Sequence, residues 1–172
     1  NRAYGGLFYD LGKDNIRFQP LRGVGILQTN IDIEFEKIKK NNRNLSDETI
    51  RKKAEEIEKK RSDIEKEWCQ EFIENLLEDN YVQITPEIRQ YIWNGLVSLA
   101  ALSPEMRTLS SFSNLVGGQS KTIKDALAQY CGKGPYAKYF DGNSDFLENN
   151  NYTIFEMEQI AEAKNAITPA LN

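Results

Sequence analysis

The chain has 172 residues, enough for one domain with a real core; 40% of them are hydrophobic, 28% are charged, and the net charge is −4. That acidic balance, with a pI near 5.1, leaves no broad cationic field for duplex nucleic acid or anionic lipid. The absence of histidine excludes Ser-His-Asp and Cys-His catalysis and every His-ligated metal site in this chain.

Cys69 and Cys131 are far apart and form no CxxC. They read as two reduced, mostly buried thiols of an intracellular protein, not as a disulfide framework or a zinc site. No run approaches ~18 apolar residues, so no transmembrane span is expected, and the start shows no signal-peptide pattern. The chain opens on Asn1, which points to an excised or processed piece.

Residues 4–22 read as β-rich, with an apolar run at Leu7-Phe8-Tyr9, turn residues from Gly12, and a second strand through Ile16-Arg17-Phe18 that ends at Pro20. Residues 23–27 fit a strand or an extended loop, and Asn41, Asn42 and Asn44 mark a break. Ser46 then caps a helix opening on Asp47-Glu48. Residues 47–66 are a charge run in which Ile50, Ile57 and Ile64 recur every seven residues. That seam allows a partner-binding arm; its shortness favours a solvated extension of the following helix.

Residues 67–102 predict a pair of packed helices. Trp68, Phe72, Leu76 and Leu77 stripe the first; Ile88, Ile92, Leu96, Leu99 and Ala100 stripe the second, widened by Trp93 and Val97. Thr85-Pro86-Glu87 is a start signal: a capping hydroxyl, a proline where no N–H is needed, and an acid at the positive helix end. Trp68, Phe72, Ile92, Trp93 and Leu96 are core candidates. Ser103-Pro104-Glu105 repeats the device, Ser110 or Ser111 caps the next helix, and Gly117-Gly118 breaks the chain. Ser120 caps a helix over 121–130. Tyr136, Tyr139 and Phe140 share a short helix, residues 152–157 suit a buried strand, and residues 158–167 read as a helix.

Four motifs invite a functional reading. Gly117-Gly118-Gln119-Ser120-Lys121-Thr122 resembles the end of a phosphate loop, but Leu115 and Ser120 stand where glycines are needed and no apolar strand precedes it. Asp141-Gly142-Asn143-Ser144-Asp145 imitates a calcium loop without its sixth-position glycine or twelfth-position glutamate. Glu156 and Glu158 are paired carboxylates with no third group. Tyr136 and Tyr139 beside Lys133 and Lys138 could stack on single-stranded nucleic acid, although their spacing suits the core side of a short helix better. No catalytic, cofactor-binding or metal-binding residue is assigned.

Three blocks taken together resemble a known family. They are GGLFYDLGKDNIRFQPL (5–21), EWCQEFIENLL…ITPEIRQYIWNGLVSLA…EMRTLSSFSNL (67–115) and ALAQYCGKGPYAKYFDG…FEMEQI…ITPALN (126–172), with Phe18-Gln19-Pro20-Leu21, Arg107-Thr108-Leu109 and Phe155-Glu156-Met157 in place. In this order they resemble the conjugative-transfer and type IV secretion ATPases, the TrbE/CagE family, equivalent to the fourth VirB component. The resemblance implies a RecA-like P-loop ATPase, hexameric, peripheral to the cytoplasmic side of the inner membrane, using ATP and Mg and working with other subunits of a secretion machine. This chain looks like the segment between Walker A and Walker B, since it contains no GxxxxGK[ST] and no apolar strand ending in Asp-Glu. Cofactors are therefore expected in the parent and none in this chain. The long charged stretch 22–62 departs from the family's short connection.

The expected fold is mainly α. Residues 1–22 would be a β remnant of the RecA-like core, 23–63 a charged helical insertion or linker, 64–148 an all-α subdomain, and 149–172 a strand and helix returning to the core. The alternative is a standalone interaction module working through the charged 47–66 helix.

Overall fold

The computed structural model describes residues 7–10, 19–42, 44–142 and 153–156. Two strands, β1 (Leu7–Asp10) and β2 (Thr153–Glu156), flank six helices: α1 (Gln28–Asn41), α2 (Asp47–Glu78), α3 (Pro86–Ala100), α4 (Leu109–Gly117), α5 (Lys121–Leu127) and α6 (Ala137–Phe140). Short 3-10 turns lie at Arg22–Val24, Pro104–Met106 and Ala128–Tyr130. The strands pair in parallel, Leu7 opposite Thr153 and Asp10 opposite Glu156. Parallel strands require a crossover, and here the crossover is the whole helical body. The expected strand at 16–18, the 158–167 helix and most of the calcium-like loop lie outside the described residues.

The predicted helix pair is present, but its first member is longer than its stripe. The charged run and the Trp68 segment form one continuous 32-residue helix, α2. Its buried face changes partner along its length. Ile50, Ala54, Glu58 and Ser62 are buried in the N-terminal half; Cys69, Phe72, Ile73, Leu76 and Leu77 are buried in the C-terminal half. The heptad seam is thus corrected. Ile57 is 45% exposed and Ile64 67% exposed, because the covered residues follow a four-residue spacing from Ile50 in which small Ala54 and Ser62 admit close neighbours. The covering element over the first half is α1, with Ile31 buried on it. Together they make an antiparallel two-helix arm, laced by Lys39–Asp47 (2.9 Å) and Arg51–Asp32 (3.6 Å), with Phe35 under the Lys39 and Arg51 cations.

The body core gathers Phe72, Ile73, Leu76 and Leu77 of α2 with Ile92, Leu96 and Leu99 of α3, Leu109, Phe112 and Val116 of α4, and Ile123 and Leu127 of α5. At about 25 cal/mol per Å² of apolar surface, each such side chain contributes roughly 1.5–3 kcal/mol. Two predicted stripe members are not core. Trp68 is 47% exposed, with one face stacked on Phe72 at 5.6 Å, and Val97 is 50% exposed. Trp93 is half-buried. Each sits at the margin of its stripe, beyond the width the opposing helices cover. Gly95 lets α3 and α4 approach closely: a Cβ there would run into Val116 and lie 2.7 Å from Phe112.

The caps follow the sequence with one exception. Ser46, Thr85 and Ser120 accept from the backbone N–H of Thr49, Ile88 and Ile123. The cap of α4 is Thr108, accepting from Ser111, and not Ser110 or Ser111. Ser110 is instead bonded to Asp141, which also accepts from the N–H groups of Ser110 and Gly132, each at 2.8 Å.

Helix α2 closes through Tyr81, a non-glycine residue at φ 59° and 99% exposed. Its N–H bonds Glu78 O, and the next N–H, of Val82, reaches back to Leu77 O, the paired bonds of a Schellman ending. A side chain at left-handed φ costs about 1 kcal/mol that glycine avoids. Tyr81→Gly is therefore expected to raise stability by roughly 0.5–1 kcal/mol in urea titration.

Candidate functional site

The chemistry-bearing part of the molecule is a buried polar junction where residues 19–27 cross α2 and α3. Apart from the 3-10 turn at Arg22–Val24 and the start of α1 at Leu27, the carbonyls of this stretch have no backbone partner, yet Leu21 and Val24 are fully buried in the core. A buried loop needs its carbonyls satisfied from elsewhere. Side chains do this one by one. The Cys69 thiol donates to Pro20 O (3.3 Å), Arg107 Nη1 to Arg22 O (3.0 Å), Arg61 Nη2 to Gly23 O (3.3 Å), Ser62 Oγ to Val24 O (2.9 Å) and Arg107 Nη2 to Ile26 O (3.3 Å). Gln19 Nε2 reaches Pro104 O at 2.5 Å.

Arg107 is the hub. Only 4% exposed, it also donates to Leu102 O (3.0 Å) and Ala100 O (3.3 Å), so one guanidinium ties the end of α3 to the loop. Burial pulls its pKa down and Glu105 partly opposes that; an arginine so placed remains a cation at neutral pH. Five donors in a planar fork suit several carbonyls at once, a geometry that lysine lacks. Gly25 passes so close that a Cβ would lie 2.5 Å from Ala100 O and 2.6 Å from the Arg107 guanidinium carbon.

Glu58 starts α1. The N-terminal residue of that helix, Leu27, has no capping side chain. The buried Glu58 carboxylate supplies the cap, accepting from Leu27 N (2.8 Å) and Asn30 Nδ2 (3.1 Å), while Arg61 bonds it through Nε and Nη2, each at 2.8 Å. A carboxylate at a helix N-terminus is favoured by the dipole. Burial pushes its pKa up, but the hydrogen bonds from Arg61, Leu27 and Asn30 outweigh that, and it titrates below its ordinary 4.5. Folding thus favours the ionised form. The stabilisation is complete above the unfolded-chain value and is lost as pH falls through the lower folded value. In urea titrations below pH 4.5, the wild-type chain is expected to lose stability more steeply than Glu58→Gln; equal slopes would remove this role.

The motifs singled out in the sequence resolve into structure. The GGQSKT stretch joins α4 to α5. Gly117 ends one helix, Ser120 caps the next, and Lys121 points to solvent beside Asp125. A helix stands where a phosphate loop needs a strand. Tyr136 and Tyr139 are half-buried. Tyr136 stacks on Tyr130 at 5.6 Å, Tyr139 meets Phe140 edge-on, and Phe140 contacts Phe72 at 6.1 Å. That cluster closes the core, and Lys138 lies over the Tyr139 ring. Asp141 is taken up by Ser110 and Gly132. Cys69 is buried and Cys131 half-buried, both free thiols. Burial, aided by Asp141, pushes Cys131 up to about 12, so it is a poor nucleophile. Among the described residues no cluster of three acidic or thiol side chains could hold a metal, and no helix is long and apolar enough to cross a membrane.

Sequence reasoning missed the junction. Arg107 stands in the EMRTL block of the resemblance, but nothing local marks it as buried. Glu58 cannot be told from the other glutamates of its charge run.

Over 99 residues, 58% of its length, the chain is 37% identical to a probable conjugal transfer protein TrbE of Sinorhizobium fredii (strain NBRC 101917 / NGR234). It is 31% identical over 99 residues to a conjugal transfer protein TrbE of Rhizobium radiobacter. Over this stretch the chain is similar to TrbE conjugal transfer proteins. It spans 14% and 12% of the lengths of these two TrbE proteins. No family model matches it, and no solved structure does. The described residues of the chain form a helical body, a polar junction and an arm.

Proposed function

We propose that this chain is a scaffold segment of a conjugal-transfer, type IV secretion ATPase. It contributes the helical subdomain, while the phosphate-handling machinery lies outside residues 1–172. The observation that carries this reading is the TrbE similarity, joined to a parallel strand pair whose crossover is the entire helical body. In a RecA-like layer an inserted subdomain has this topology: two strands of one sheet bracket the insertion. The parent enzyme would bind ATP and Mg, assemble as a hexamer with other secretion subunits, and work peripheral to the inner membrane. The residues of this chain would shape and couple, not hydrolyse.

The junction suits that role. Residues 19–27 are fixed by side chains of α2 and of the turn before α4, so they would move together with the helices. Isothermal titration of the purified chain with Mg·ATP tests the division of labour. No binding and no turnover are expected; saturable binding with turnover would overturn it.

A second reading is favoured by the arm. Because α1 covers the first half of α2, the charged run is a projecting two-helix element and not a bare solvated helix. A partner-binding role for this arm is compatible with the first reading.

A further inference from the structure

The arm divides the charge of the molecule. Residues 37–53, which surround its tip, hold seven Lys/Arg and two Asp/Glu, a net of +5; with −4 for the whole chain, the remainder sums to −9. On the body flank of α2, Ile64 and the half-exposed Trp68 floor a shallow groove edged by Glu67, Glu71 and Glu74, with Arg89 bonded to Glu74 at 3.3 Å. An exposed tryptophan ringed by carboxylates has the make-up of an interface centre. We propose that this groove receives the basic arm tip of a second copy of the chain.

The contact must be intermolecular. Groove and tip lie on the same unbroken helix, about 18 residues or ~27 Å apart at 1.5 Å per residue, so the tip cannot fold back onto its own groove. The two surfaces differ, so the contact is head-to-tail, a geometry that closes into a ring or continues as a chain. The occupant follows from chemistry at the tip. Residues 37–53 hold no aromatic side chain, and the neighbouring Phe35 is covered by Lys39 and Arg51, which leaves nothing to stack on bases. Its apex offers Asn41, Asn42, Asn44 and a half-buried Leu45, which give no apolar wedge for a bilayer. Several tip cations are already shared with Asp47, Glu48 and Asp32, so its field is moderate and matched to a groove of a few carboxylates. The inference does not depend on the ATPase reading.

Sedimentation velocity of the full chain tests it. Association that rises with concentration is expected at about 50 mM salt and is expected to weaken at least tenfold at about 500 mM. Lys40→Gln/Lys53→Gln and Glu67→Gln/Glu71→Gln should each leave a monomer with unchanged helicity. A one-to-one mixture of the two variants should form a dimer and no larger species, because it restores a single native contact. A wild-type monomer at both salts would overturn the proposal. So would association indifferent to these charges, as pairing through free strand edges would be, or a monomer whose Lys40 and Lys53 instead capture anionic vesicles or duplex DNA.

Discussion

Arg107→Ala is expected to lower stability by about 3–5 kcal/mol, the largest effect of any single polar substitution in this chain. The guanidinium is almost wholly buried and donates to the carbonyls of Arg22, Ile26, Ala100 and Leu102. Each carbonyl would lose a charge-assisted bond, and the space left is too enclosed for water to serve all four. For a domain of this size the melting temperature should fall by roughly 10 °C in calorimetry. Arg107→Lys should recover less than half of the loss, since one ammonium cannot span acceptors on two segments. Full recovery by lysine would mean that the charge alone matters and the fork does not. Gly25→Ala should mimic the alanine variant in part, because its Cβ would press on Ala100 O and on the guanidinium.

The second large effect is expected at the α3–α4 contact. Phe112 is fully buried, and its ring lies where a Cβ on Gly95 would fall. Phe112→Ala should cost about 3–5 kcal/mol through lost burial and a cavity. Gly95→Ala should cost about 1–3 kcal/mol, because overpacking against Val116 and Phe112 outweighs alanine's better helix propensity. In the double variant the new methyl enters the space vacated by the ring. Its cost should therefore fall below the sum of the singles by at least about 1 kcal/mol in urea titration. Strict additivity would show that the helices separate instead of keeping their contact.

The parts of this fold that were legible in the sequence are those whose determinants are local. Ser46, Thr85 and Ser120 announce their helices because a cap bonds an N–H three residues on. The stripe of Phe72, Leu76, Leu77, Ile92, Leu96 and Leu99 announces its burial because helix geometry alone aligns it. Helix α1 was hidden for the opposite reason: its cap is Glu58, 31 residues away, and its covered face needs α2 to exist. The heptad seam misled because Ile50, Ile57 and Ile64 mark a face of α2 that its neighbours cover only at Ile50. Trp68 misled because a large apolar side chain at a stripe margin can stay half in water. The junction was invisible for a deeper reason. Arg107 and Glu58 become special only when the 19–27 stretch is laid against them, and no spacing encodes that. The paired strands were readable as apolar runs, but their partnership spans the whole chain.

The central claim is that these residues form a helical subdomain bracketed by the two halves of a phosphate-handling core. Reading the coding sequence on both flanks tests it most directly. The account predicts, in frame, a GxxxxGK[ST] loop after an apolar strand before Asn1, and an apolar strand ending in Asp-Glu after Asn172. Stop codons on both sides, or in-frame flanks lacking both motifs, would contradict it.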